Sequence, residues 1–456
     1  MRKLIGCAAA LLATLTVFAK YGATISLNRA NGFYKVGETV ICRVKLTNDG
    51  EPLVGQRARM TLKWEGKTLK SEDFETTGKV VKFSYPAEKP GWVFFGFELL
   101  DKNGKVMRGR EVQRHSAKPT IVTEIGAIIE PEKVVTGIGR PADFEEFWAK
   151  RRAELDKIPI EPKLEPMKCR DKNIKFFKVT VPTVGEHPVT GYLAIPADAK
   201  PGSCPAYVDW ASWSASDANP NSALNSARQG FIGFAPTWHG RPVAMGKDWY
   251  NYKTTITGIN GGMVGIEDRE TWCFGFMYYR VMRALDFVKS LPEWDHKTLV
   301  SRGGSLGGAQ SAAAAALDKD VTLALIMNPC FCEFDGEASG RTGSIPRGPG
   351  FKAAAKTPAA LKAQSYYDCV NFAPMIKCRT FVCTGGTDEL CPPSNVYAMY
   401  NALPAGTQKE IFFNPAVGHY GQINRSVAPH IKALFDSVKI TRYDVKGERG
   451  GNLSAK

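Results

Sequence analysis

Apolar and polar positions alternate along the first quarter of the chain. Glu38-Thr39-Val40-Ile41-Cys42-Arg43-Val44-Lys45-Leu46, Ala58-Arg59-Met60-Thr61-Leu62-Lys63-Trp64 and Trp92-Val93-Phe94-Phe95-Gly96-Phe97-Glu98-Leu99 each read as a strand, because side chains two apart share one face of a strand. Asn48-Asp49-Gly50, Glu65-Gly66 and Lys102-Asn103-Gly104 stand at or near the ends of these runs as turn signals. Short strands at regular spacing predict a small β-sandwich of immunoglobulin type over 20–117. No cluster of chemistry-bearing residues stands out in it. A linker is expected over 118–136.

The period then changes. Arg140-Pro141-Ala142-Asp143 leads into Phe144, Phe147, Trp148 and Leu155, an apolar stripe at helical spacing. Apolar runs over 206–210, 231–235, 298–301, 321–327, 380–384 and 410–413 predict strands. Helical patterns over 270–290, 309–317 and 426–438 lie between or after them. Strands alternating with helices predict an α/β fold, a doubly wound and mostly parallel sheet covered on both faces, over 137–440. The polar, Gly-rich tail at 441–456 is expected to lie outside it.

The N-terminus changes the picture again. Arg2 and Lys3 precede an apolar run over 4–18, and Val17-Phe18-Ala19 offers a small-residue cleavage site. Residues 1–19 read as a signal peptide, which implies a secreted or periplasmic protein. No later segment is long and apolar enough for a membrane span. The 456-residue chain is 44% hydrophobic and 23% charged, as expected of a globular protein. Its net charge of +15 is spread along the sequence, and no nucleic-acid-binding motif accompanies it. A solvated basic surface is therefore expected, and no nucleic-acid partner. Of eleven cysteines, Cys7 falls in the signal. The others are scattered, which predicts buried thiols, with room for one or two disulfides.

The chemistry centres on Gly303-Gly304-Ser305-Leu306-Gly307. A G-x-S-x-G sequence between a strand and a helix is a nucleophile elbow of the α/β-hydrolase fold. The sharp turn lifts the serine hydroxyl above the sheet and aims the next N–H, that of Leu306, at the same point. A serine hydroxyl needs a base at neutral pH. In this fold the acid and then the histidine follow the serine, and only His419 and His430 come after Ser305. His419 sits in a loop after the last strand, and His430 within the last helix. Asp388 follows a strand that ends in Gly385-Gly386 and suits the acid that fixes the imidazole. Glu389 and Asp335 are its rivals.

Several segments resemble the acetyl xylan esterase and cephalosporin C deacetylase family. Arg140-Pro141-Ala142-Asp143-Phe144-Glu145-Glu146-Phe147-Trp148 is similar to its opening helix. Val370-Asn371-Phe372-Ala373-Pro374-Met375-Ile376-Lys377-Cys378 and Asp388-Glu389-Leu390-Cys391-Pro392-Pro393-Ser394 are similar to its acid-bearing region. Ser305, Asp388 and His419 fall where its catalytic triad falls. The resemblance implies acetylated sugars as substrates, no cofactor, no metal and assembly into homo-oligomeric rings. It places a second oxyanion donor near Trp213, where Ala211-Ser212-Trp213 stands for the family's His-Gly-Tyr. Leu306 replaces the usual Gln, Trp238-His239-Gly240-Arg241 an Arg-Gly-Gln motif, and His419-Tyr420 a His-Glu pair. These departures bear on acyl-pocket shape, oligomer contacts and substrate. Two other functions fit parts of the sequence. One is a peptidase similar to prolyl oligopeptidases, although 20–117 is too short for their propeller. The other is a carbohydrate-binding protein with a decayed hydrolase domain.

Overall fold

The computed structural model of the protein describes residues 21–107, 122–213, 217–250, 264–344 and 355–419. The predicted signal peptide at 1–19, the final helix at 426–438 with His430, and the tail at 441–456 lie outside them.

The first nine strands are β1 (Tyr21–Leu27), β2 (Phe33–Tyr34), β3 (Thr39–Asn48), β4 (Glu51–Pro52), β5 (Val54–Trp64), β6 (Lys67–Thr77), β7 (Val81–Pro86), β8 (Gly91–Leu99) and β9 (Val122–Ile129). One sheet joins β1, β4 and β7 to β3, all antiparallel. The other runs β2-β9-β8-β5-β6. Val40, Cys42 and Val44 of β3 meet Ala58 and Met60 of β5 and Val93, Phe95 and Phe97 of β8 in a core between the sheets. The sequence predicted a linker over 118–136, but β9 falls within it and pairs antiparallel with β8 from Gly91↔Ile129 to Glu98↔Val122. The linker is therefore corrected to a sandwich strand. Its signal was alternation: Ile125, Ala127 and Ile129 enter the sandwich core.

Strand β8 reads as an unbroken apolar run for a physical reason. Val93, Phe95 and Phe97 face the sandwich core, while Trp92 and Phe94 face away from it. The second set meets Ile128, Val134, Tyr397, Ala398 and Phe413 in a separate core against the rest of the chain. A strand covered on both faces loses its alternation.

The second part contains β10 (Lys163–Pro166), β11 (Ile174–Val181), β12 (Val189–Pro196), β13 (Cys204–Trp210), β14 (Ile232–Pro236), β15 (Trp294–Gly304), β16 (Leu323–Met327), β17 (Arg379–Gly385) and β18 (Lys409–Asn414). They form one nine-stranded sheet in the order β10-β11-β12-β14-β13-β15-β16-β17-β18. The pairs from β14 through β18 are parallel, and β10, β11 and β12 form an antiparallel edge. That edge and its strands were not predicted. All ten cysteines in the described residues are free thiols, seven of them buried.

The helices are α1 (Phe144–Asp156), α2 (Pro220–Arg228), α3 (Cys273–Ser290), α4 (Leu306–Leu317), α5 (Pro358–Ser365), α6 (Cys369–Phe372) and α7 (Pro393–Ala402). Leu299, Ala324, Ile326 and Val382 point from the sheet into a core shared with α1, α3 and α4. Val300, Leu323, Leu325 and Phe381, one position along, fill the opposite face. Among the described residues of 137–440, this is the mostly parallel sheet with helices on both faces that the sequence predicts. Among the described residues, no helix is long and apolar enough to cross a membrane.

Candidate active site

Ser305 stands between β15 and α4, with φ 56° and ψ −118°. An L residue rarely adopts a positive φ, so the surrounding contacts must hold it. The Ser305 N–H donates to Met327 O at 3.0 Å, and its carbonyl accepts from Cys330 N at 3.1 Å. The flanking glycines are sterically required. A Cβ on Gly303 would lie 2.2 Å from Gly307 O, and one on Gly307 would lie 2.3 Å from Trp210 O. The predicted elbow is therefore present in both backbone and packing.

His419 follows β18 in a loop, and its Nε2 lies 2.9 Å from Ser305 Oγ. Its Nδ1 lies 2.8 Å from Asp388 Oδ2. The other oxygen, Asp388 Oδ1, accepts from Leu390 N at 3.0 Å and Cys391 N at 2.8 Å. The carboxylate is fully buried and the histidine side chain only 10% exposed. A carboxylate so placed makes Nδ1 the protonated nitrogen and leaves Nε2 free to accept from the serine.

Burial works against charge on His419, while Cys391 and Asp388 favour the imidazolium and raise its pKa overall. The Asp388 contribution has a direct cause in the 2.8 Å hydrogen bond.

The rival acids lie elsewhere. Glu389 turns away to pair with Lys63 of the sandwich, and Asp335 accepts from Ala338 N at 3.2 Å. Leu306 is the first residue of α4, so its N–H belongs to the first helical turn, which has no intrahelical acceptor. Trp213 packs on Phe274 and Trp238, with ring centroids 5.4 and 6.1 Å away.

Two neighbours escaped the sequence reading. The Asn328 side-chain amide lies 3.1 Å from His419 Nδ1, at the end of β16. Its signal was position, since loops at the carboxyl ends of parallel strands hold the chemistry of this fold class. Cys391 brings its sulfur, with donor atoms of Asp388 and His419, into a group spanning less than 4.8 Å. The Asp388–His419 hydrogen bond already engages a carboxylate oxygen and a ring nitrogen of that group.

Comparison with known proteins identifies the family. Residues 137–426 match the sequence model of the family described as acetyl xylan esterase (AXE1). The chain is 29% identical over 294 residues to acetyl esterase Axe7A of Xylanibacter ruminicola, a match covering 64% of this chain and 66% of that protein. It spans just under two thirds of that relative. An acetyl xylan esterase structure from Paenibacillus sp. R4 superposes with a TM-score of 0.58 at 27% identity, covering 69% of this chain and 98% of that one. Acetyl xylan esterase 1 from Thermoanaerobacterium sp. JW/SL YS485 shares the fold, with a TM-score of 0.56 at 21% identity over 68% of this chain and 97% of that one. With well over half its length inside that family's match, the chain belongs to the acetyl xylan esterase family, a family of carboxylic ester hydrolases.

Proposed function

We propose that the protein is an exported serine esterase that removes acetyl or other short acyl groups from acetylated carbohydrates, with Ser305, His419 and Asp388 as its catalytic triad. The observation that carries this reading is the continuous hydrogen-bond chain from Ser305 Oγ through His419 to Asp388. His419 Nε2 takes the serine proton as Oγ bonds to the ester carbonyl carbon. The N–H groups of Leu306 and Trp213 are the proposed donors to the resulting oxyanion. His419 then gives its proton to the leaving sugar oxygen, and the carbon–oxygen ester bond breaks. Water attacks the acyl-serine with His419 again as base, acetate departs, and the serine regains its proton. Asp388 holds His419 Nδ1 and supports the imidazolium in each step.

The carbohydrate substrate is supported by family membership and by the relatives' names. Export is supported by the sequence of residues 1–19. The immunoglobulin type of the sandwich is supported by its strand pairing, which includes the parallel β2–β9 pair beside antiparallel β9, β8 and β5.

The test is acetate release from acetylated xylo-oligosaccharides by the wild type and a Ser305→Ala variant. Release by the wild type alone is expected, and equal rates would overturn the reading. A fluorophosphonate should label the wild type at Ser305. Cleavage of a peptide anilide in place of p-nitrophenyl acetate would favour a peptidase.

A further inference from the structure

The sandwich meets the rest of the molecule at the two loops that carry Asp388 and His419. We propose that it is a clamp on these loops, with Trp92 and Gly126 as positioning residues for the triad; this inference rests on the esterase reading above.

The acid loop begins at the end of β17. Its Gly386 carbonyl accepts from the Trp92 indole Nε1 at 2.7 Å, and Trp92 is fully buried. One residue beyond Asp388, Glu389 pairs with Lys63 of β5. Just beyond the loop, at the start of α7, Ser394 Oγ donates to the Glu65 carboxylate at 2.6 Å, and the same carboxylate accepts from Trp92 N at 2.6 Å. The histidine loop is held by the neighbouring strand. Gly126 N of β9 donates to Pro415 O at 2.8 Å. Gly126 also lies against the acid loop so closely that a Cβ there would sit 1.9 Å from Gly386 O.

The two loops bond to each other as well, through Gly386 N to Asn414 O at 2.8 Å and Thr387 N to Val417 O at 3.0 Å. The sandwich therefore grips a pair that is already joined and fixes its position from outside. Removing the indole N–H leaves a buried carbonyl without its donor, and the loop must shift to regain one. Asp388 sits two residues along the same loop. Every sandwich group in this set precedes residue 137, where the family match begins, so the clamp comes from outside the matched segment.

The experiment compares the full-length wild type with Trp92→Phe, Gly126→Ala and Phe97→Leu. Phe97 lies in the sandwich core on the opposite face of β8 and controls for loss of sandwich stability. For Trp92→Phe, kcat on p-nitrophenyl acetate should fall roughly tenfold with KM nearly unchanged, since small displacements of catalytic groups are costly. Its acid limb in kcat/KM should move to lower pH. Asp388 and Cys391 are the groups that favour charge on His419, and a displaced carboxylate supports the imidazolium less. Phe97→Leu should lower the thermal midpoint and leave the pH profile in place. If Gly126→Ala does not fold, Trp92→Phe decides alone. A folded Trp92→Phe protein with wild-type kcat and pH profile overturns the clamp while the esterase stands. A wild type without ester hydrolysis overturns both.

Discussion

At the scale of single residues, Asp388 makes the sharpest prediction. Its Oδ1 is tied to two backbone N–H groups and its Oδ2 faces His419. Asparagine would keep the shape while losing the charge, and would turn the wrong tautomer of the ring toward Ser305. Asp388→Asn should therefore lower kcat by about a thousandfold or more, with little change in KM. The net upward shift of His419 adds a pH dependence. The base must be neutral to accept the serine proton, so wild-type kcat/KM should rise with pH through a midpoint above the usual histidine range near 6.5. A midpoint at or below that range would contradict the arrangement. Ser305, Asp388 and His419 were legible in the sequence because their order and strand-end positions are constrained. Asn328 and Cys391 were not, because nothing in their spacing links them to a histidine far along the chain.

At the scale of elements, the elbow and the β5–β6 turn carry separate predictions. Cβ atoms at Gly303 and Gly307 would meet backbone oxygens at 2.2 and 2.3 Å, whereas one at Gly304 would meet nothing closer than 3.8 Å. Gly307→Ala should thus fail to fold or lose activity. Gly304→Ala should fold with a thermal midpoint close to wild type. Equal midpoints for the two would refute the steric account. In the β5–β6 turn, burial pushes the Glu65 carboxyl up to about 7, against the pull of Ser394, Trp92 N and Arg341 and with the push of Glu333. The folded state then holds a proton that the unfolded chain releases near the usual glutamate value. Stability should fall as pH rises from about 4.5 to about 7. Glu65→Gln removes this dependence and should gain about 3 kcal/mol relative to wild type between pH 4.5 and pH 8 in denaturant titrations. A constant difference across that range would refute it. The predicted parallel strands were legible as apolar runs. Strands β9 to β12 were missed because Lys, Thr and Gly break their apolar runs, although β10, β11 and β12 pair with their neighbours along the chain and β9 alternates toward the sandwich core.

The whole molecule differs from the sequence-based picture chiefly in how its parts join. A linker over 118–136 would leave two independent bodies, yet β9 lies in that span and packs between them. Trp92, Phe94 and Ile128 of the sandwich share an apolar core with Tyr397, Ala398 and Phe413 of the hydrolase fold. Polar groups are buried across the same seam, including Glu65 against Ser394. Separating the parts would expose large aromatic surface and leave buried polar groups unpaired, both costly. The two parts should therefore unfold together. Scanning calorimetry on the full chain should show one heat-absorption peak, and esterase activity should disappear across that same transition. An early peak for the sandwich with activity surviving beyond it would mean that the seam does not couple them. The sequence could not convey this coupling, since the apolar run of β8 looks the same whether its second face meets a partner sheet or another part of the chain.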